Sequence, residues 1–273
     1  MDILKEIVDN KRLEVARQKE AVPLDLLFNL GSRRMSRKTV SMRQALEQSQ
    51  SGIIAEFKRR SPSKGWLYPN AKISDIVPAY EDGGASACSI LTDSDYFGGA
   101  FADLQRARSL VKLPLLRKDF MIDEYQLYQA RVLGADAILL IAACLTTEEC
   151  RKLAAKAHEL ELEVLLEVHS EDELSHLNKN IDMLGVNNRN LGTFHTDIDN
   201  SFRMIERMKS EVGEGGGAPL LVSESGLSSA DVVNELRNAG FSGFLMGETF
   251  MKTENPGDTL ARFIKEAYPQ PLP

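Results

Sequence analysis

The chain has few of the residues from which metal sites and disulfide frameworks are built. Its 273 residues include three cysteines, four histidines and one tryptophan. Cys88, Cys144 and Cys150 are odd in number and show no CxxC spacing, so neither a disulfide framework nor a zinc site is indicated. No two histidines stand four apart, which is the spacing of the helical HExxH zinc motif. We therefore assign no metal to this sequence.

The sequence also lacks long apolar runs and an excess of basic charge. No stretch approaches the roughly 20 apolar residues of a membrane span, and the first residues lack the layout of a signal peptide. The formal net charge of −7 argues against broad nucleic-acid binding, which needs many basic residues to neutralise phosphates. We expect a soluble, cytoplasmic protein that binds neither membranes nor nucleic acid.

What the chain does contain is a repeated joint between helix and strand. The segments that start at Gly84, Gly134 and Gly240 share one layout, in which a glycine and a short polar linker precede an apolar run. Glycine is typical of a helix end, and an apolar run without alternation suits a parallel strand covered on both faces. Similar runs give eight predicted strands: 53–58, 86–92, 113–118, 137–143, 163–168, 183–188, 220–225 and 243–248.

Helical patterns fill the intervals between the predicted strands. Residues 147–160, for example, have leucine and alanine at helical spacing, with a predicted cap at Thr147 and two glutamates in the first turn. Eight βα units in succession predict an α/β fold, a (β/α)8 or TIM barrel that forms a single domain over residues 1–273. The length agrees with one large domain.

Residues 1–48 precede the first predicted strand and fall outside the eight units. Ile3, Ile7, Leu13 and Val15 are spaced among charged residues, which predicts one or two extra helices. This N-terminal helical extension is expected to pack against the barrel, and a lid over one of its mouths is the alternative.

Polar residues interrupt four of the apolar strands near the same end. Barrel enzymes build their active sites at the C-terminal ends of the strands, so these residues are expected to meet at one mouth. A structural ion pair would explain the polar residues of any one strand, whereas polar residues at the same end of four strands together indicate a catalytic site. The candidates are Glu56 and Lys58 on the first strand, Arg117 and Lys118 on the third, Glu167 on the fifth, and Asn187 with Arg189 on the sixth.

Glycines and hydroxyl groups mark the loops after the first, seventh and eighth strands. Ser61 begins the turn Ser-Pro-Ser-Lys-Gly, while Ser225 precedes Gly226 and Gly247 precedes Glu248. The loops after strands 7 and 8 of barrels frequently bind phosphate through backbone N–H groups, and glycine permits the close approach. These loops predict a phosphorylated substrate, although tight βα turns alone would also use such glycines.

Taken in order, these motifs resemble the indole-3-glycerol phosphate synthase family over essentially the whole chain. The resemblance rests on Glu-Phe-Lys-Arg-Arg-Ser-Pro-Ser (56–63), Leu-Arg-Lys-Asp-Phe (116–120), Leu-Leu-Glu-Val (165–168), Gly-Val-Asn-Asn-Arg-Asn-Leu (185–191) and Ser-Glu-Ser-Gly (223–226). The family converts 1-(2-carboxyphenylamino)-1-deoxyribulose 5-phosphate to indole-3-glycerol phosphate in tryptophan biosynthesis, with loss of carbon dioxide and water. The resemblance therefore implies a carbon–carbon lyase, a decarboxylase that uses no cofactor.

The resemblance also implies catalytic roles for the lysines and glutamates. Lys118 is expected to protonate the substrate ketone during ring closure, because negative charge develops on that oxygen. Lys58 would bind the carboxylate that leaves as carbon dioxide, or act as the acid in dehydration. Glu167 is expected to handle the proton in dehydration, and Glu56 to hold the lysines or contact the substrate.

Binding roles follow from the same resemblance. Asn187 and Arg189 are expected to orient the substrate and its charged neighbours, and Ser225 completes the catalytic set. The residues expected to bind the substrate phosphate are Ser61, Gly226, Gly247 and Glu248. Some relatives have serine where this chain has Glu248, and a carboxylate would repel phosphate, so only the backbone N–H of Glu248 is expected to bind. Phe97 and Phe120 would either flank the aromatic ring or pack in the core.

Two other functions are compatible with a phosphate-binding barrel. Phosphoribosylanthranilate isomerase would share the loops after strands 7 and 8 but should carry an Asp/Cys acid–base pair in place of two lysines and two glutamates. A barrel that only binds a metabolite would be expected to have lost a charged residue at the mouth. In each case the expected partner is a small molecule, bound by a monomer or by a chain weakly associated with enzymes of its pathway.

Overall fold

Eight parallel strands form the centre of the protein, whose computed structural model describes residues 3–190, 192, 195–213 and 217–268. The strands are β1 Ile53–Phe57, β2 Ala87–Leu91, β3 Leu115–Lys118, β4 Ala137–Ile141, β5 Glu163–Val168, β6 Met183–Asn187, β7 Leu220–Glu224 and β8 Gly243–Met246. Each strand pairs with its neighbour in sequence, and β8 pairs with β1 to close the barrel. The predicted (β/α)8 fold and its strands are confirmed, with seven of the eight strands shorter by one or two residues.

Helices cover the outside of the barrel and precede its first strand. They are α1 Ile3–Ala21, α2 Leu24–Met35, α3 Met42–Gln48, α4 Ile73–Asp82, α5 Phe101–Leu110, α6 Glu124–Leu133, α7 Thr147–Glu159, α8 Asp199–Val212, α9 Ala230–Ala239, α10 Glu248–Met251 and α11 Pro256–Ala267. Among the described residues, no helix is long and apolar enough to cross a bilayer.

Two details of the predicted helices were wrong. The cap of α7 is Thr146 and not Thr147, because Thr146 Oγ1 accepts from the Glu149 N–H at 3.2 Å while the Glu149 carboxylate accepts from the Thr146 N–H at 2.7 Å. This capping box requires the hydroxyl to stand one residue outside the helix. Between β5 and β6, the described chain forms a 3₁₀-helix, Glu171–His176, in place of the α-helix of a regular βα unit.

Strand residues alternate between the interior of the barrel and the helical layer. Ile54, Leu116, Leu165 and Val222 belong to one buried apolar cluster that fills the barrel. Their immediate neighbours, such as Ile53 and Leu115, belong to a separate cluster shared with the helices. Because side chains alternate along a strand, the residue two positions after each interior residue again points inward, at the C-terminal mouth.

The N-terminal extension contains three helices, one more than predicted, because Pro23 separates α1 from α2. α3 closes the N-terminal end of the barrel, where Met42 and Leu46 join the interior apolar cluster. α1 lies at the opposite end, where Ile7 joins the same cluster near Phe120. The extension thus packs against both ends of the barrel.

Candidate active site

A cavity of about 610 Å³ opens at the C-terminal mouth of the barrel. Its walls include every residue for which the sequence predicted a role in the site except Arg117. These residues are Glu56, Lys58, Ser61, Phe97, Lys118, Phe120, Glu167, Asn187, Arg189, Ser225, Gly226, Gly247 and Glu248. Residues from all parts of the sequence therefore meet in one place, because the carboxyl ends of parallel strands share one end of the barrel.

Lys118 lines this cavity and lies between two buried carboxylates, of which Glu167 also lines it. Its Nζ donates to Glu167 Oε2 and to Glu224 Oε2, at 3.2 Å in each case. Glu167 Oε1 also accepts a hydrogen bond of 3.0 Å from the side-chain amide of Asn187. The Lys118 side chain is 15% exposed, whereas the side chains of Glu167 and Glu224 are 3% and 1% exposed. One cation therefore joins two carboxylates that have almost no contact with water.

Burial and neighbouring charges have opposing effects on these three groups. Burial disfavours the charge of Lys118, but Glu224 and Glu167 outweigh it and hold the Lys118 pKa above its usual value. Burial also acts to raise the pKa of Glu167, yet Lys118 and His169 bring it below its usual range. Burial and the nearby Glu167 raise the pKa of Glu224 to about 7, against the effect of Lys118. The carboxylate pair can thus hold one proton near neutral pH, on Glu224.

Glu224 is the main site residue that the sequence analysis missed, since Ser225 was selected beside it. A signal existed in the alternation of β7, because Val222 points into the barrel and Glu224 stands two residues later. Space for its carboxylate comes from Gly185 on the neighbouring strand, where an added Cβ would lie 2.2 Å from Glu224 Oε1. No larger residue fits at position 185 without moving Glu224.

Glu56 and Lys58 form a second ion pair on β1 and the loop that follows it. Lys58 Nζ lies 2.5 Å from Glu56 Oε1, and the two side chains are 13% and 3% exposed. The Glu56 carboxylate also lies against Gly247, where an added Cβ would come within 2.4 Å of Glu56 Oε1. The two residues share one face of the chain as predicted, and both line the cavity.

Arg189 connects three of the loops around the mouth. Its guanidinium donates to Ser63 Oγ at 2.7 Å in the loop after β1, and to Glu248 Oε2 at 3.1 Å after β8. Its backbone N–H donates to Asn187 Oδ1 at 2.9 Å. The side chain of Glu248 is therefore paired with a cation beside the cavity, while its N–H lies at the start of α10.

The loop after β7 has two successive residues in the left-handed backbone region. Ser225 and Gly226 both have positive φ, 67° and 79°, and Gly226 is exposed to the cavity. Ser225 holds this conformation although it is not glycine, and its carbonyl accepts a hydrogen bond of 3.1 Å from Asn188 Nδ2. Two lysines that the sequence analysis did not select, Lys64 and Lys252, also line this cavity.

The opposite wall of the cavity is apolar. Phe97 and Phe120 pack together with ring centroids 6.1 Å apart, and Phe120 is buried next to the interior cluster of the barrel. Helix α1 completes this wall with Ile3, Leu4 and Ile7. The extension therefore contributes directly to the mouth, and the two phenylalanines both line the cavity and pack in the core.

A buried ion cluster holds α1 in this position. Lys11 is 1% exposed, and its Nζ lies 2.9 Å from both Asp93 Oδ2 and Asp119 Oδ1 and 2.6 Å from Glu14 Oε2. Burial opposes the charge of Lys11, but Asp119 and Asp93 outweigh it and raise the Lys11 pKa above its usual value. Asp119 directly follows Lys118, so the helix is fixed to the strand end that presents this lysine.

Arg117 does not reach the mouth, and its prediction as a candidate there was wrong. It points into the helical layer, where its guanidinium donates to the carbonyl of Gln126 at 2.8 Å and to Asp119 Oδ2 at 3.1 Å. Adjacent strand residues face opposite sides, so Arg117 and Lys118 could not both point inward. In the part of the chain that the structure describes, no group of three or more His, Cys, Asp or Glu side chains could hold a metal ion.

A family comparison agrees with the geometry of this mouth. A sequence model described as Indole-3-glycerol phosphate synthase matches residues 4–263. The chain belongs to the indole-3-glycerol phosphate synthase family. The family that the sequence motifs predicted, a family of lyases, is therefore confirmed.

Individual relatives match over nearly the full chain. The chain is 57% identical to an indole-3-glycerol phosphate synthase of Bacteroides thetaiotaomicron over 265 residues, which cover 97% of this chain and 98% of the relative. It is 41% identical to an indole-3-glycerol phosphate synthase of Polaromonas sp. over 266 residues, with coverage of 96% and 98%. A mutant tryptophan synthase alpha-subunit from Pyrococcus furiosus matches in structure with a TM-score of 0.61 and 14% identity, covering 81% of this chain and 99% of that one. At this identity the structural match supports the barrel fold alone.

Proposed function

We propose that the chain converts 1-(2-carboxyphenylamino)-1-deoxyribulose 5-phosphate to indole-3-glycerol phosphate, with release of carbon dioxide and water. The observation that carries this proposal is Lys118, held between Glu167 and Glu224 in a cavity with one charged and one apolar wall. Lys118 can act as an acid, and its two carboxylate partners have little contact with water. Such groups beside an apolar wall suit a reaction in which protons are transferred to and from an aromatic substrate.

Ring closure comes first in this proposal. The ring carbon that carries the carboxylate attacks the ketone carbon, a carbon–carbon bond forms, and the ketone oxygen takes a proton from Lys118. The two carboxylates keep Lys118 charged until the oxygen becomes basic. Phe97 and Phe120 flank the aromatic ring and hold it against the ketone, which lowers the entropic cost of the encounter.

Decarboxylation and dehydration complete the reaction. Lys58 holds the substrate carboxylate, and cleavage of its bond to the ring releases carbon dioxide and restores the aromatic electrons. The hydroxyl then leaves as water with a proton from Lys58, which lines the cavity. The neighbouring carbon loses its proton to Glu167, whose pKa is held low enough for it to be ionised. Glu56 keeps Lys58 in place through their ion pair.

The phosphate end of the substrate is placed at the loops after β1, β7 and β8. Gly226, Gly247 and the N–H of Glu248 offer close backbone approach, and Ser61 offers a hydroxyl. Asn187, Arg189 and Ser225 orient the sugar chain between the two ends. We propose a monomer as the active form.

The isomerase alternative has no support in this cavity. Its acid–base pair requires a cysteine, and none of the described residues that line the cavity is a cysteine. Cys88 and Cys150 are buried elsewhere in the fold.

A fluorescence assay tests the proposed function. Purified protein and authentic substrate should give an indole emission that rises with time and one carbon dioxide per turnover. Lys118→Met protein, purified in the same way, is the control for contaminating activity. Folded wild-type protein that forms no indole product from authentic substrate would refute the assignment.

A further inference from the structure

His169, which follows β5 directly, is a buried titratable group that the reaction outlined above does not use. Its Nε2 lies 3.4 Å from Glu167 Oε1 and its Nδ1 lies 3.5 Å from Glu173 Oε2. The side chain is 15% exposed. Within the described part of the chain, neither ring nitrogen has a hydrogen-bond partner, which leaves ion pairing with the two carboxylates as its polar interaction. The imidazole thus bridges a site carboxylate and a carboxylate outside the cavity.

The two carboxylates on Lys118 differ in what else they contact. Each accepts from Lys118 Nζ at 3.2 Å, so the lysine alone does not distinguish them. Glu167 Oε1 has Asn187 at 3.0 Å and His169 at 3.4 Å, whereas Glu224 Oε1 has no hydrogen-bond partner among the described residues. A proton shared by Glu167 and Glu224 is therefore less stable on Glu167, whose ionised form is stabilised by Asn187 and His169.

We infer that His169 is a positioning residue that stays protonated between Glu167 and Glu173, keeps Glu167 ionised, and so directs the shared proton of the pair to Glu224. The inference rests on the proposed function, in which Glu167 takes up a proton during dehydration. His169 does not line the cavity, so it acts through Glu167 and not on the substrate.

The charges around His169 favour its protonated form. Glu167 on β5, Glu173 on the 3₁₀-helix and Glu224 on β7 all act to raise its pKa. Lys118 on β3 lies beyond Glu167 and is the one cation of this group. From helix α8, the uncharged Asn200 donates its side-chain amide to the His169 carbonyl at 3.2 Å. Burial acts against the charge, but the carboxylates prevail and the His169 pKa is raised.

The sign of the pH effect follows from this arrangement. With His169 protonated, a proton taken up by the pair goes to Glu224, and Glu167 stays available as the pH falls below neutrality. Without the imidazolium, part of that proton goes to Glu167, which is then unable to act as the base. Loss of His169 should therefore move the acidic limb of activity to higher pH.

The first test compares pH profiles of kcat/KM for the wild type, His169→Asn and His158→Asn proteins. His158 is the matched control, because it also pairs with a carboxylate, Asp182 at 2.9 Å, but Asp182, unlike Glu167, does not line the cavity. We expect the acidic limb of His169→Asn to move up by about one pH unit or more, which is about a tenfold loss of kcat/KM at a pH on that limb. The His158→Asn profile should superimpose on the wild type. An acidic limb that does not move in His169→Asn would overturn the inference.

The second test needs neither substrate nor a folded His169 variant. Nitrogen-15 spectra of the four histidine rings report protonation, and single His158→Asn, His176→Asn and His195→Asn proteins assign the other three signals. We expect a doubly protonated His169 ring at pH 7, and a titration midpoint lower by about one unit or more in Glu167→Gln. A neutral His169 ring at pH 7 would overturn the inference. Lack of turnover by the wild type would sink the proposed function alone, because the spectra still decide the state of His169.

Discussion

Replacement of Lys118 by methionine tests the charge arrangement of the site most directly. Methionine keeps most of the volume of the side chain but removes the cation from Glu167 and Glu224, which are 3% and 1% exposed. If Lys118 is the acid of ring closure, kcat should fall by at least about a hundredfold. The same change should also destabilise the fold, because removal of one partner from a buried ion pair leaves an uncompensated charge, at a cost of about 3–5 kcal/mol.

That cost should depend on pH in a definite direction. Without Lys118, the pKa values of Glu167 and Glu224 rise, since the lysine lowers both in the wild type. A carboxyl whose folded pKa lies above its unfolded value stabilises the fold at low pH and loses that contribution as the pH rises through the folded pKa. The variant should therefore lose stability already near pH 5, where wild-type Glu167 is ionised beside Lys118, and should lose more near pH 8.5, with about 1.4 kcal/mol for each unit of pKa change.

Denaturant unfolding at both pH values, together with the indole fluorescence assay, measures these effects. Lys152→Met is a suitable control, because Lys152 is 65% exposed and its removal should change the free energy of unfolding by less than about 0.5 kcal/mol at either pH. Equal losses of stability at pH 5 and pH 8.5 would refute the reasoning about the paired carboxylates. A kcat near the wild-type value would refute the role of Lys118 as the acid.

Three further substitutions test other parts of the site. Glu224→Gln removes a carboxyl whose folded pKa, about 7, lies above its unfolded value of 4.5, so the wild type should lose stability between these values as the pH rises. Relative to the wild type, the unfolding free energy of the variant should therefore rise by about 2 kcal/mol from pH 5 to pH 8 in denaturation experiments. A difference that stays constant over this range would contradict the prediction. Gly226→Val places a Cβ 2.6 Å from Thr196 Cγ2 at a φ of +79°, and should raise KM more than it lowers kcat in steady-state assays; an unchanged KM would indicate a simple turn. Lys11→Met leaves Asp93 and Asp119 buried without this cation and should lower the unfolding free energy by about 3–5 kcal/mol, whereas Lys5→Met, at a residue whose side chain is 75% exposed, should leave it nearly unchanged.

The barrel was predictable because its strands are covered on both faces. β4 and β8 read as continuous apolar runs, and such runs at regular intervals have few solutions other than a parallel barrel. The mouth was predictable for a related reason, since a charge has no stable place inside such a run except at the end that opens to the cavity. The glycines of the loops after β7 and β8 belonged to the same pattern.

The side on which each polar residue lies was harder to predict. Arg117 and Lys118 are adjacent at one strand end, and only the register of β3 with its neighbours sends one outward and the other inward. Glu224 was hidden beside Ser225 for the same reason. Contacts between distant parts of the chain could not be predicted from the sequence, because nothing near Lys11 indicates that its partners would be Asp93 and Asp119.

The burial of Lys11 bears on any attempt to graft this active site onto another barrel. A donor fragment that starts at β1 would carry Asp93 and Asp119 but leave Lys11 behind, and two buried acids would then lack this cation under the strand end that presents Lys118. Helix α1 thus supplies, from the same chain, a cation on which the mouth of the barrel depends. A transplant that keeps the lysine and lets the rest of α1 vary has a better chance of working than one that keeps only the eight strands and their loops.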